Sequence, residues 1–126
     1  MILETWEERG MLMNTKEIAL AAAKALEDKR GINVRLLEVT EVTTLAEYFL
    51  ICTGTSNMHV KTLCDVVEEV VDACGEPLLH REGHRGGTWV LLDFGSLVCH
   101  IFTDETRQFY DLERLWNDAK PVALPE

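Results

Sequence analysis

Along the chain the apolar positions change period several times, and each change marks an element. Asn14-Thr15-Lys16-Glu17 has the form of a capping box, with Asn14 offering its side chain to first-turn amides and Glu17 three residues on. Behind it Ile18, Ala21, Ala22, Ala25 and Leu26 recur at helical steps. Lys29 and Arg30 put cations at the negative helix end, and Gly31 offers a residue able to take positive φ, so the helix is expected to stop there. Residues 34–39 and 48–53 are short and rich in β-formers, which predicts two strands with a loop at 40–47.

Gly54-Thr55-Ser56-Asn57 then breaks the pattern. Val60, Leu63, Cys64, Val67, Val70, Val71 and Cys74 line one face of a second helix, closed by Gly75 just ahead of Pro77. Residues 78–82 predict a strand running into a glycine-rich loop at 83–87, and residues 88–94 and 97–103 predict a hairpin joined at Gly95-Ser96. Thr103-Asp104 can cap a last helix with Phe109, Leu112, Leu115 and Trp116 on one stripe, ended by Lys120-Pro121. The predicted order is α-β-β-α-β-β-β-α, a single α/β domain with a mixed sheet of about five strands flanked by helices and no internal repeat. Residues 14–118 form that domain, with 1–13 as an N-terminal extension and 119–126 as a C-terminal tail.

Composition narrows the function classes. With 126 residues, 47% of them hydrophobic and 27% charged, the chain fits one self-folding domain. Twelve Lys and Arg against 22 Asp and Glu leave a net charge of -10, so direct binding to a nucleic-acid backbone is disfavoured. The longest apolar runs, such as residues 48–52, are far shorter than a membrane span, and the acidic first thirteen residues fit neither an export signal nor a transit peptide. Cys52, Cys64, Cys74 and Cys99 contain no C-x-x-C pair and lie within apolar patterns, which reads as reduced core thiols in the cytoplasm.

Candidate chemistry is sparse. Gly54, Thr55 and Ser56 sit between a strand and a helix N-terminus, where free N–H groups can hold an anion, but no phosphate-loop spacing accompanies them, and a structural turn with Ser56 or Asn57 as the helix cap is the better explanation. Nucleotidyl transfer needs two carboxylates one residue apart on a neighbouring strand, and no such D-x-D or D-x-E triplet follows the turn. His80 and His84 lack a helix to align them on a metal, and no triad can be assembled around His59 or His100, so no metal or cofactor is expected.

Strand alternation is more informative. Trp89, Leu91 and Asp93 share one face of their strand while Val90, Leu92 and Phe94 share the other, so both faces are largely apolar. One of them is either an interface or is covered by the third helix. That helix sets Tyr110 and Trp116 among Asp104, Glu105, Asp111 and Glu113, an acidic aromatic surface suited to a basic protein partner.

Three separated motifs carry a resemblance over roughly residues 14–117: residues 51–56 with His59; Trp89 to Asp93 with Gly95, Val98 and His100; and Arg107, Tyr110, Leu112, Glu113, Leu115 and Trp116. Together they resemble the ribosomal silencing factor family, also called the Iojap family. The resemblance implies a nucleotidyltransferase-like fold without catalysis. It also implies a factor that binds the large ribosomal subunit through its protein fourteen, blocks joining of the small subunit and so represses translation. A homodimer is implied for the free protein. Trp89, Leu91, Asp93, His100, Tyr110, Glu113 and Trp116 are the expected partner-binding residues. The alternative is a nucleotidyltransferase-like phosphate- or nucleotide-binding enzyme using the Gly54 turn.

Overall fold

A computed structural model describes residues 14–83, 87–110 and 119–124. Helix α1 (Thr15–Asp28) begins at the expected capping box: Asn14 Oδ1 accepts from the Glu17 amide at 2.8 Å, and the Glu17 carboxylate accepts from the Asn14 amide. Ile18, Ala19, Ala22, Ala23 and Leu26 are its buried residues, so the buried stripe is turned slightly from the predicted one, with Ala21 and Ala25 half-buried at its edge. At its end Arg30 takes the left-handed conformation (φ 65°) that the sequence assigned to Gly31. Gly31 is needed for close approach instead, since a Cβ there would stand 2.5 Å from the Cys52 sulfur.

Strand β1 (Ile32–Glu38) follows with a bulge between Ile32 and Arg35, where Asn33 has φ 50°. β2 (Tyr48–Gly54) is buried along its whole length and runs into α2 (Asn57–Ala73), which Ser56 caps by accepting from the His59 amide at 3.0 Å. Gly75, at φ 93°, closes that helix as predicted. β3 (His80–Glu82), β4 (Trp89–Asp93) and β5 (Leu97–Thr103) form an antiparallel meander, and α3 (Asp104–Tyr110) starts directly from β5.

The sheet is mixed, in the order β3-β4-β5-β2-β1-β6, with β2 and β5 pairing in parallel at its centre. It has six strands, one more than expected. The extra strand, β6 (Lys120–Val122), comes from residues whose Lys-Pro pair reads locally only as a helix stop, and it pairs antiparallel with β1, Leu37 opposite Pro121. Proline is tolerated there because β6 is the outermost strand and needs no outward N–H donor.

Helices α1 and α2 cover one sheet face, burying Leu36, Leu50, Cys52, Val90, Leu92, Leu97, Cys99 and Ile101 with their own apolar stripes. The central strands also bury the opposite face, where Leu37, Phe49, Ile51, Val98 and Phe102 cluster with Val39, Ala46 and Ala119. This double burial is why β2 and β5 read as continuous apolar runs rather than alternating ones. Among the described residues no helix is long and apolar enough to cross a membrane.

Candidate partner-binding face

The second sheet face is covered at its centre and opens toward β4. Ile51 and Phe102 are 0% exposed there, whereas Trp89, Leu91 and Asp93 are partly exposed, with Val90 and Leu92 buried on the opposite side of the strand. Alternation thus brings the three expected residues onto one face, and the register shows what backs them: Trp89 pairs with Phe102, Leu91 with His100, and Asp93 with Val98. On the other side of β4 the edge strand sets Glu82 opposite Leu91 and His80 opposite Asp93.

Trp89 lies over a set of rings. Its centroid is 6.1 Å from Phe102 and 6.2 Å from His100, and its indole Nε1 donates to His100 Nδ1 at 3.3 Å. Phe49 meets the imidazole edge-on at 5.4 Å. The sequence puts His100 at the contact surface, but it is 6% exposed, beneath Trp89, and burial holds its pKa down to about 4. Asp93 has one carboxylate oxygen committed to the hairpin, where it accepts from the Gly95 amide at 2.8 Å. Of the expected residues in the last helix, Tyr110 closes α3, while Glu113 and Trp116 lie outside the described residues, as does His84.

Sequence reasoning assigned no role to Arg107. It is 7% exposed, donates to the Asn33 carbonyl at 2.9 Å and the Thr53 hydroxyl at 2.7 Å, and sits 5.7 Å over the Phe102 ring. The left-handed bulge in β1 therefore presents a carbonyl to α3, and a single guanidinium nitrogen, Nη1, donates to it and to a β2 hydroxyl. Nothing local marks this: the two oxygens come from strands far back in the chain.

The Gly54 turn lies in a crevice of about 660 Å³ beyond the ends of β2 and β5, lined among others by Thr55, Ser56, Thr103, Asp104 and Glu105. Its polar groups have internal work. Ser56 caps α2, Thr103 and Thr106 bond each other at 3.0 Å, and the Thr55 amide donates to His59 Nδ1 at 2.8 Å. An acceptor Nδ1 leaves the proton of the neutral ring on Nε2, which donates to the Lys29 carbonyl at 2.9 Å and ties the turn to the end of α1. Gly54 has a packing role, since a Cβ there would meet Val60 Cγ2 at 2.8 Å. A phosphate in this crevice would face the carboxylates of Asp104 and Glu105.

Cys52 and Cys64 are buried and free, their thiols pushed up to about 12 by desolvation, and burial raises Cys99 as well. Among the described residues no three His, Cys, Asp or Glu side chains gather in a way that could hold a metal ion.

Residues 13–126 match the family described as ribosomal silencing factor during starvation. The chain belongs to the ribosomal silencing factor family. A Bacillus subtilis ribosomal silencing factor is 38% identical over 88% of this chain and 93% of its own length. A crystal structure of a Chromobacterium violaceum protein superposes with a TM-score of 0.81 at 34% identity, covering 90% of this chain and 92% of that one. A more distant mouse relative, 29% identical over 72% of this chain and 41% of its own length, is named mitochondrial assembly of ribosomal large subunit protein 1. The family resemblance read from three motifs and the α/β fold with a mixed sheet both stand.

Proposed function

We propose that this silencing factor binds the large ribosomal subunit through that subunit's protein fourteen and, by occupying ground the small subunit must reach, blocks subunit joining and represses translation. It acts in the cytoplasm, by steric exclusion and without catalysis, and pairs with a second copy of itself when free. The observation that carries this reading is the partly exposed row Trp89, Leu91 and Asp93 beside an otherwise covered sheet face. Tryptophan is among the residues most enriched at the energetic centre of protein contacts. Tyr110, Glu113 and Trp116 complete the proposed set of partner-binding residues, and Gly54, Thr55 and Ser56 serve as a structural turn.

The charge of -10 favours a basic ribosomal protein over exposed rRNA as the landing point. The mouse relative's name, which speaks of the large subunit, supports the choice of subunit. Co-sedimentation with purified large subunits, with and without added small subunits, tests the reading. The chain should travel with large subunits and reduce the joined fraction; migration with small subunits, or unchanged joining at saturation, would overturn it. The nucleotidyltransferase-like alternative predicts saturable thermal stabilisation by nucleotides with Mg²⁺, which this reading does not.

A further inference from the structure

We propose that His100 is a positioning residue for the Trp89 contact: its Nδ1 accepts the indole N–H and so sets which edge of the half-buried ring faces outward. This rests on Trp89 lying at the partner contact, as argued above. An indole has a single polar atom, and on a half-buried ring the group that accepts its proton decides how the ring lies. Here the acceptor lies beneath the ring and not in its own cross-strand row. Trp89 stands opposite Phe102, while His100 stands opposite Leu91, so the 3.3 Å bond is diagonal and draws the indole along β4 toward the Leu91 row. Trp89 and Leu91 then form one continuous surface.

The acceptor is itself held. Phe49 packs edge-on against the imidazole at 83°, and Phe102 backs the indole from its own cross-strand row. With Nδ1 accepting, the neutral ring carries its proton on Nε2. A ring fixed before docking has less freedom to lose on docking, so the bond contributes to affinity although His100 touches no partner atom.

The test compares three variants of the full chain by affinity for purified large subunits and by the indole ¹H–¹⁵N resonance of Trp89, assigned with Trp89→Phe. His100→Leu removes the acceptor. It should move the indole resonance and weaken binding about fivefold, the size of one net hydrogen bond. His100→Asn places an oxygen near the Nδ1 position and should restore both readouts, whereas His100→Gln reaches past that point and should not. A folded variant with a displaced indole resonance and unchanged affinity overturns the proposal, as does an unmoved resonance in His100→Leu. Should His100→Leu fail to fold, the Asn and Gln pair decides between the same two outcomes. If Trp89→Ala binds as tightly as the parent, the underlying contact assignment has failed and this role falls with it, while the resonance still reports the bond itself.

Discussion

The guanidinium of Arg107, in the helix after the last long strand, donates to the carbonyl oxygen of Asn33 in the bulge of the first strand. This joins two ends of the fold that no backbone ladder connects, and the same side chain holds the Thr53 hydroxyl and covers Phe102.

Removing that guanidinium strands two oxygens in a buried place. Arg107→Leu should lower the free energy of unfolding by about 3 kcal/mol, with Arg107→Lys recovering part of the loss through its single point charge. Urea unfolding followed by far-UV circular dichroism measures it, and a loss below about 0.5 kcal/mol would mean the network is dispensable.

Two glycines should respond differently to alanine. At Gly54 a Cβ would press on Val60 Cγ2 at 2.8 Å and on the Val60 amide at 3.0 Å, so α2 must shift and the cost should be about 1–3 kcal/mol. At Gly75 nothing lies within 4 Å, and only the backbone at φ 93° objects, for about 1 kcal/mol. Denaturant midpoints of the two variants should fall in that order.

Acid should weaken the fold through His100. The unfolded chain takes up a proton near pH 6.5, but the buried ring waits until about 4, so between those values only the unfolded state gains. Stability from this group is complete above pH 6.5, falls as pH drops toward 4 and levels off below, for a total of about 3 kcal/mol. The carboxylates contribute alike to parent and variant. The difference in unfolding free energy between the parent and His100→Leu should therefore change between pH 7.5 and 5 by about 1–2 kcal/mol, against the parent.

At the proposed contact, Trp89→Ala should weaken large-subunit binding by more than about 2 kcal/mol, roughly thirtyfold, while the domain still melts cooperatively. Loss of folding instead would make Trp89 a core residue.

Glu113→Lys should slow association with the isolated ribosomal protein at low salt and lose that effect as salt rises, because electrostatic steering is screened beyond ~8 Å at physiological ionic strength. Surface plasmon resonance at two salt concentrations reads the on-rate, and an unchanged rate at low salt removes Glu113 from recognition.

What the sequence disclosed was local. Helix α2 carries its cap at Ser56, its stripe from Val60 to Val71 and its stop at Gly75 within one window, so every signal agrees. The face holding Trp89, Leu91 and Asp93 follows from alternation alone. The depth of His100 does not: β5 is apolar on both sides, and only pairing with β2 and β4 decides that the imidazole lies under an indole. Arg107 belongs to a motif of the family resemblance, but its buried role shows only when Asn33 and Thr53 are brought beside it. Strand β6 escaped because three residues with a proline show no period, and their partner strand lies at the other end of the chain.

That last pairing bears on how the molecule is made. During synthesis from the N-terminus, β1 can pair with β2 early, but its outer edge gains a neighbour only when residues 120–122 leave the exit tunnel. Until then a growing chain displays an open row of amides and carbonyls able to recruit a neighbouring nascent chain. Once β6 docks, Pro121 has no N–H to offer outward, and recruitment at that position ends. Premature termination before Lys120 would therefore release a product that is sticky along β1 rather than simply shorter.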